Sequence, residues 1–461
     1  MEDFLYKYLS FYGILPQPIK QFIGRLYSYL PNRFKYGPFY YLYAERLRSF
    51  FQMGSLQEIE REQNKLLFSQ VNRSIEQIPF YRHYKKISSL EEFRILPVID
   101  KNTIREKRDE LINPLLPGKK IIANTGGSSG TPLEFYIEKG VSRSKEKAHF
   151  DWYWHQFGYK PFDKMLMIRG LPLAGKRLYE FRTIDNILNI SCYNINKNNI
   201  QEVLVRINQF RPKFIHAYPS SLKVITSLLE QHKKKLDFSI TAIFLGSEYL
   251  NENDRCYFEG FYNARIVNWY GHSERLIHGG NCPFSNEYHF YPSYGFIELL
   301  DENNQVINHP GKEGRIVATG FDNRIMPFIR YDTGDLGVLS DQSTCKCGFK
   351  GVSLQKIAGR GHDLIVLSDG TQVSLTAFIF GQHLEAFKRI SEMQVVQHKI
   401  GEIELRIVKN SDFTPKDEEN TKKTLLNSVN NKIIIDFNYV ESIPKTSRGK
   451  NVFFISSLKK N

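Results

Sequence analysis

The chain has 461 residues, which is too long for one ordinary hydrophobic core, so we expect two domains. Hydrophobic residues make up 41% and charged residues 24%, and these globular values exclude wholesale disorder. The formal net charge is +14, and this basic excess at first suggests an anionic partner such as a nucleic acid or a membrane surface.

The cysteines and the hydropathy pattern indicate the cellular setting. Five cysteines are an odd and small number for this length, which argues against a framework of disulfide bonds. No apolar stretch reaches about 18 residues, so no membrane-spanning helix is predicted. The opening MEDFLYKYLS lacks the apolar core of a signal peptide. We therefore expect a cytoplasmic protein with reduced thiols.

Residues 1–64 are the first predicted unit, a helical extension rich in aromatic and basic side chains. Its first fifty residues hold 15 aromatic, seven basic and three acidic side chains. Prolines at positions 16, 18, 31 and 38 divide it into short helices. This segment is either a helical cap on the next domain or a peripheral contact with an anionic membrane. A longer helical pattern runs from about residue 57 to 86, with a proline stop in the phrase IPFYR.

Residues 65–359 are the second predicted unit, an α/β domain with a mainly parallel sheet. Residues 119–137 predict two strands around a loop, and the apolar runs MLMIR, FIHAY, AIFLG and RIVNWY then alternate with amphipathic segments. From about 286 to 359, short β-rich runs predict an antiparallel subdomain packed against the main domain. Residues 360–461, after a Gly-Arg-Gly hinge, predict a small mobile α+β domain that serves as a lid.

The strongest local motif is TGGSSGTP at residues 125–132. Its three glycines allow a close approach of the backbone to a polyanion, and its hydroxyls add hydrogen-bond donors, so the loop suits phosphate oxygens. A Walker A loop would end in Gly-Lys-Ser/Thr, whereas Gly130 is followed by Thr131 and Pro132. The alternative interpretation is an ordinary hairpin turn.

Four further motifs carry chemistry that nucleotide binding can use. Gly246-Ser247-Glu248 and the segment WYGHSE, residues 269–274, each follow a predicted strand, where an aromatic ring stacks on a base and a carboxylate holds Mg²⁺. In RYDTGD, residues 330–335, a carboxylate in a tight turn suits a ribose diol. The fourth is PKTSRGK, residues 444–450, a basic loop near the end of the chain. Each motif alone also fits turn chemistry or a solvated charge.

A separate set of residues predicts a structural zinc site in the β-rich region. Cys345 and Cys347 form a thiol pair in a tight turn, and Cys282 is followed by His289 in the same region. Three thiolates and one imidazole make a tetrahedral zinc site, with His278 as an alternative ligand. The competing interpretation is a set of reduced, partly buried cysteines beside a surface histidine.

The order of these motifs resembles the acyl-adenylate-forming superfamily over roughly residues 65–461. TGGSSGTP, YGHSE, RYDTGD, the GR hinge and PKTSRGK occur in the superfamily's order. The phrases IPFYR and LPVIDKNTIR are similar to the phenylacetate-CoA ligase branch. YHFYPSYGFIELLD and DGTQVSLTAFIFGQH resemble the CapK-like capsular polysaccharide biosynthesis proteins.

The resemblance implies an ATP-dependent, Mg²⁺-requiring ligase that converts a small carboxylate to an acyl-adenylate and releases pyrophosphate. It assigns Glu274 to Mg²⁺, Tyr270 to adenine, Asp335 to the ribose and Lys450 to the charge that develops at the α-phosphate. The other implied nucleotide-binding residues are Thr125, Ser128, Ser129, Gly130, Thr131, Gly246, Ser247, Glu248, Gly271 and Arg360.

The acceptor of the acyl group stays open at this stage. The phenylacetate ligases have a strand similar to GVNVF after the hinge, where this chain has SDGTQVS at residues 368–374. The acceptor is CoA, or an amine or hydroxyl of a glycan precursor in capsular or cell-surface polysaccharide biosynthesis. A true acyl- or aryl-CoA ligase and a non-catalytic nucleotide-binding scaffold are the alternatives. A nucleic-acid partner is not expected, because the chain has no zinc-finger spacing or concentrated basic run.

Overall fold

The structure is a computed structural model of the chain. The residues it describes are 15–116, 118, 120–124, 133–169, 173, 177–191, 194–248, 250, 252–341, 345–358, 364–379, 382, 384, 386, 389–443 and 454–458.

Four helices lie within residues 15–77 of the described chain, and prolines separate the first three of them, as predicted. They are α1 (Gln17–Tyr29), α2 (Asn32–Tyr36), α3 (Phe39–Gln52) and α4 (Leu56–Gln77). Helix α4 begins at an N-cap serine whose hydroxyl accepts a hydrogen bond from the Glu58 N–H. It ends earlier than the predicted residue 86, because Pro79 disfavours a helical conformation at the residue before it. None of the helices in the described ranges is long and apolar enough to cross a membrane.

Helix α3 caps the α/β part of the chain. Tyr40, Tyr43, Leu47 and Phe50 recur at helical spacing and form its buried face. The Tyr40 hydroxyl donates to the carboxylate of Asp151 at 2.9 Å. Arg46, also on α3, belongs to a charge cluster with two residues of the α/β part.

The charge cluster consists of Arg46, Lys145 and Asp322, of which Lys145 is buried and the other two are partly buried. The Asp322 carboxylate lies 3.0 Å from the Arg46 guanidinium and 2.9 Å from the Lys145 ammonium. Burial alone would raise the pKa of Asp322, but Lys145 and Arg46 hold that pKa below its ordinary value. Because a buried charge without its partner is costly, this cluster fixes α3 to the domain beneath it.

The main sheet has twelve strands among the described residues. Their order across the sheet is β11-β12-β13-β14-β10-β9-β8-β7-β6-β3-β5-β4. The strands are β3 (Met165–Arg169), β4 (Tyr179–Arg182), β5 (Ile187–Ser191), β6 (Phe214–Ala217), β7 (Ala242–Leu245), β8 (Arg265–Gly271), β9 (His278–Cys282), β10 (Ser285–Phe290), β11 (Gly295–Leu300), β12 (Glu313–Gly320), β13 (Tyr331–Leu339) and β14 (Ser353–Ala358). A separate antiparallel pair is formed by β1 (Lys120–Asn124) and β2 (Glu134–Glu138).

The sheet has a parallel half and an antiparallel half. Strands β5, β3, β6, β7 and β8 pair in parallel, and β5, β6 and β7 are buried along their whole length, as expected for strands covered on both faces. The helices that connect these parallel strands are α8 (Ile200–Phe210), α9 (Pro219–Gln231) and α10 (Glu252–Tyr262), whereas α5 (Leu90–Arg94), α6 (Lys101–Glu106) and α7 (Ser142–His155) come before β3 in the chain. The mixed α/β architecture is therefore confirmed. The antiparallel strands extend the same sheet, because β9 pairs directly with β8.

The C-terminal part is rich in β-strands and has its own four-stranded sheet, in the order β19-β18-β17-β20. Its elements are β15 (Leu364–Val366), β16 (Gln372–Ser374), α11 (Leu375–Ile379), β17 (Ile390–Lys399), β18 (Glu402–Lys409), α12 (Pro415–Ser428), β19 (Ile434–Tyr439) and β20 (Phe454–Ser456). A capping box between Thr414 and Asp417 starts α12. Leu375 and Phe378 belong to the same buried cluster as side chains of α8–α10.

Candidate active site

Two of the predicted nucleotide motifs meet at one edge of the parallel sheet. Gly246, Ser247 and Glu248 follow β7, and Tyr270 and Gly271 end β8. These strands are parallel neighbours, with Leu245 beside Asn268. Ligands of open α/β sheets bind at the carboxyl ends of such strands, so the topology brings the two motifs to a suitable edge.

Tyr270 and Asp335 are in direct contact although 65 positions separate them. The Tyr270 hydroxyl donates to Oδ2 of Asp335 at 2.7 Å. Burial, with the adjacent Asp335 carboxylate, raises the pKa of Tyr270 well above its ordinary value, so the phenol stays a proton donor. On the Asp335 side, the backbone N–H donates to the Thr333 hydroxyl at 3.2 Å. The residues predicted for adenine and for ribose are thus held together.

Glu274 lies beside β13, the strand that carries Asp335. It is buried, and the Tyr331 hydroxyl donates to its Oε1 at 2.7 Å. Burial alone would raise the pKa of Glu274, but the charges of His272 and Lys101 and the Tyr331 hydrogen bond outweigh it, and the pKa lies below its ordinary value. The Glu274 carboxylate is therefore ionised at neutral pH. An ionised buried oxygen donor is the kind of ligand that Mg²⁺ takes.

Lys101 and Tyr331 are site neighbours that the motif roles did not include. Lys101 begins α6, whose N-cap Asp100 accepts the Thr103 N–H at 2.8 Å. Both residues lie within segments that the motifs mark: Lys101 in LPVIDKNTIR and Tyr331 in RYDTGD. His272 also lies here, and neither of its buried ring nitrogens has a hydrogen-bond partner among the described residues.

Arg330, the first residue of RYDTGD, is structural. Its guanidinium forms a two-point contact with the buried Glu298, at 3.1 and 3.2 Å. It also donates to the backbone carbonyl of Leu96 at 2.8 Å. Arg330 therefore ties the segment before α6 to β13 and so brings Lys101 toward Glu274.

Gly246 has no room for a side chain. A Cβ at this position would overlap the indole ring of Trp269, the residue before Tyr270. Ser247 then adopts a left-handed conformation with φ of 68°. The close approach of the backbone to Trp269 explains why the motif after β7 begins with glycine.

We expect Gly246→Ala to destabilise the protein, because the new methyl group must displace the Trp269 ring. Overpacking of this kind costs about 1–3 kcal/mol of unfolding free energy. Gly260→Ala, in the open environment of α10, should instead stabilise by about 0.5–1 kcal/mol. Thermal and denaturant unfolding of both variants measures the difference. Equal effects of the two substitutions on the unfolding free energy would contradict the close packing of Gly246 against Trp269.

Several predicted site residues lie outside the described residues. They are Thr125, Ser128, Ser129, Gly130, Thr131, Arg360 and Lys450. The structure does describe the strands around the first loop: β1 and β2 pair in antiparallel fashion up to Asn124 and Glu134. The ATP-binding and catalytic roles of these seven residues remain predictions.

The four predicted zinc ligands, in contrast, come together. Cys282, His289, Cys345 and Cys347 place their ligand atoms within 4.8 Å of one another. The alternative ligand His278 lies elsewhere, with its ring stacked on that of Tyr291. Burial, with the charge of Lys145, lowers the pKa of His278 to about 3.

The chain is similar to two curated proteins and to one family model. It is 26% identical to protein CapK of Staphylococcus aureus over 450 residues, which is 92% of this chain and 94% of CapK. It is 29% identical to phenylacetate-coenzyme A ligase of Thermus thermophilus over 168 residues, 35% of this chain and 37% of that protein. Residues 366–457 match the CapK C-terminal domain.

The fold is shared with a solved ligase. 2-Hydroxyisobutyryl-CoA ligase in complex with 2-HIB-AMP and CoA aligns with a TM-score of 0.58 at 16% identity, covering 88% of this chain and 91% of the ligase. The same ligase in its postadenylation state aligns with a TM-score of 0.54. The resemblance and the fold predicted from the motifs are confirmed. The chain is therefore similar in sequence to CapK over most of its length and to phenylacetate-CoA ligase over about a third of it, and it has the fold of 2-hydroxyisobutyryl-CoA ligase.

Proposed function

We propose that this protein uses ATP to activate a small carboxylic acid as its acyl-adenylate, with release of pyrophosphate. The observation that carries the proposal is the convergence of Tyr270, Asp335 and Glu274 at the carboxyl edge of the parallel sheet. An aromatic ring, a carboxylate for a diol and an ionised buried carboxylate are the groups that a nucleoside triphosphate requires.

The described residues would bind the nucleoside. The Tyr270 hydroxyl orients the Asp335 carboxylate, so the carboxylate can accept hydrogen bonds from the ribose hydroxyls while the tyrosine ring lies against adenine. Gly246 and Gly271, which both leave space for Trp269, would form the opposite wall with Ser247 and Glu248. The loop of residues 125–131 would bind the β- and γ-phosphates, and Arg360 the ribose or the phosphates.

The phosphate chemistry would involve Glu274 and Lys450. An oxygen of the substrate carboxylate attacks the α-phosphorus, and the bond from that phosphorus to the bridging oxygen breaks, so that pyrophosphate leaves. Glu274 would hold Mg²⁺, which supplies charge neutralisation when bound. The Lys450 ammonium would stabilise the negative charge that develops between the carboxylate and the α-phosphate.

Pyrophosphate release with a panel of amino, aryl, hydroxy and short-chain acids tests the proposal. An acid that stimulates release, with the acyl-adenylate as the second product or AMP once that adenylate is hydrolysed, supports adenylation and identifies the substrate class. ATP binding without pyrophosphate release for every acid would instead support the nucleotide-binding scaffold.

We further propose CoA as the acceptor, with an amine or hydroxyl of a cell-surface glycan precursor as the competing one. The support for CoA is the likeness to phenylacetate-CoA ligase and to the fold of a ligase solved with CoA. The support for a glycan precursor is the resemblance to capsular biosynthesis proteins. Product analysis with and without CoA decides: a thioester formed only when CoA is added supports the first, and an acyl-adenylate that CoA does not consume supports the second.

We also infer that helix α1 rests on an anionic membrane surface. Gly24 faces the body of the protein, where a Cβ would lie 2.6 Å from the Thr183 carbonyl oxygen. The apolar face that this orientation leaves outward carries Phe22, Leu26 and Tyr29, which are 63%, 55% and 86% exposed. Arg25 is exposed on the same helix, and the chain's charge of +14 complements anionic lipid.

Replacing both Phe22 and Leu26 with glutamate should lower binding to phosphatidylglycerol vesicles at least about tenfold, because each buried apolar side chain contributes about 1.5–3 kcal/mol. Co-sedimentation measures this binding. Leu115→Glu, at a 63% exposed leucine outside α1, should bind like the wild type. Equal binding of all three proteins, or equal binding to neutral phosphatidylcholine, would leave α1 as a simple helical cap.

A further inference from the structure

A cluster of three thiols and one imidazole lies in the antiparallel half of the main sheet. Cys282 ends β9, His289 lies on β10, and Cys345 and Cys347 lie in the connection between β13 and β14. Their four ligand atoms lie within 4.8 Å of one another. The adenylation roles proposed above use none of these residues.

The distances within the cluster are comparable to, and somewhat shorter than, the edges of a zinc-centred tetrahedron. Sγ of Cys345 lies 3.5 Å from Sγ of Cys282 and 3.1 Å from Sγ of Cys347, and Sγ of Cys347 lies 3.5 Å from Nδ1 of His289. With zinc–sulfur bonds of about 2.3 Å, a tetrahedron has sulfur–sulfur edges of about 3.8 Å and slightly shorter sulfur–nitrogen edges. A disulfide bond would need about 2.05 Å, and these cysteines are free.

Backbone groups already point at two of the sulfur atoms. The Phe284 N–H donates to Sγ of Cys282, and the Phe349 N–H donates to Sγ of Cys347, both at 3.4 Å. Gly348, with φ of 74°, permits the turn that directs the second of these groups. Such N–H donors stabilise the negative charge of metal-bound thiolates and fix their positions.

The imidazole of His289 is also held in place. The Phe349 ring stacks on it, with the ring centroids 4.4 Å apart and the planes inclined by 7°. In addition, His289 pairs with Gly280 of β9 and Ser353 of β14 in the sheet. One residue, Phe349, thus supports both a cysteine ligand and the histidine ligand.

We propose that Cys282, His289, Cys345 and Cys347 bind one structural Zn²⁺ ion. Three soft thiolates and an imidazole favour zinc over the oxygen-seeking Mg²⁺ or Ca²⁺. Four protein ligands complete the tetrahedron, so the ion has no open position for a substrate. The ion joins the β9–β10 hairpin to the β13–β14 connection, and the proposal is independent of the adenylation reaction.

Metal analysis of the full-length protein, purified without chelator, tests the proposal. We expect about one zinc per chain in the wild type and in Cys256→Ser, where the replaced thiol is exposed on α10. In Cys282→Ser and Cys347→Ser, the zinc content should fall at least about tenfold below that of the wild type. Less than about 0.1 equivalents in the wild type, or unchanged zinc in both variants, would overturn the site.

A second measurement covers variants that do not fold. The wild-type protein, expressed in medium that contains Co²⁺ in place of Zn²⁺, should show the intense visible absorption of tetrahedral cobalt together with a near-ultraviolet thiolate-to-cobalt band. Cys256→Ser should give the same spectrum. The weak absorption of octahedral cobalt without a thiolate band would overturn the proposal, whatever the acid substrate proves to be.

Discussion

Lys450→Ala is expected to abolish ATP–pyrophosphate exchange while ATP binding stays close to the wild-type level. The lysine would act on charge that develops at the α-phosphate during attack, so its loss should affect the reaction more than the bound ground state. Removal of one such electrostatic contact costs about 10²–10³ in rate. Exchange of labelled pyrophosphate into ATP measures the reaction, and equilibrium binding of ATP measures the ground state.

Lys445→Ala is the matched control, because this lysine belongs to the same PKTSRGK segment. We expect it to retain exchange within a few-fold of the wild type. Exchange retained by Lys450→Ala would remove Lys450 from the mechanism. An equal loss in both variants would assign the effect to the charge of the segment as a whole.

Glu274→Gln is expected to lower the exchange rate by about 100-fold and to raise the Mg²⁺ concentration required, because an amide oxygen is a weak ligand for a hard cation. Tyr331→Phe, the control, removes the hydrogen bond to Oε1 but keeps the carboxylate, and should cost about tenfold. Mg²⁺ titration of the exchange rate separates the two. An unchanged Mg²⁺ requirement in Glu274→Gln would contradict the assignment.

The same substitution has a pH signature in stability. The pKa of folded Glu274 lies below its ordinary value of 4.5, so ionisation of this group favours the folded state. That contribution is present above pH 4.5 and is lost as the pH falls through the folded pKa. The difference in unfolding free energy between wild type and Glu274→Gln should therefore shrink as the pH is lowered below 4.5.

The sequence predicted the parallel strands and the approximate positions of the motifs for local reasons. The run AIFL is apolar throughout, as is typical of a strand covered on both faces, and Gly246 follows this strand at once. The proline-separated helices and the antiparallel region were predictable in the same way. The lengths of helices were harder to predict, since the helix expected to reach residue 86 ends at Gln77, before Pro79.

Contacts between distant segments were not predictable from the sequence. The Tyr270–Asp335 hydrogen bond depends on how β13 lies relative to β8, and no local pattern encodes that arrangement. The candidate zinc ligands illustrate the same point, because spacing alone fits both His278 and His289. The pairing of β9 with β10 decides for His289, while His278 packs among aromatic rings.

The contacts of helix α3 have a practical consequence for shortened forms of this protein. A fragment that starts at residue 38 keeps α3, and with it the Tyr40–Asp151 hydrogen bond and the Arg46–Asp322 ion pair. A fragment that starts at residue 53 loses both and uncovers the surface against which Leu47 is fully buried. The first fragment should therefore express as a folded protein without α1, whereas the second should aggregate.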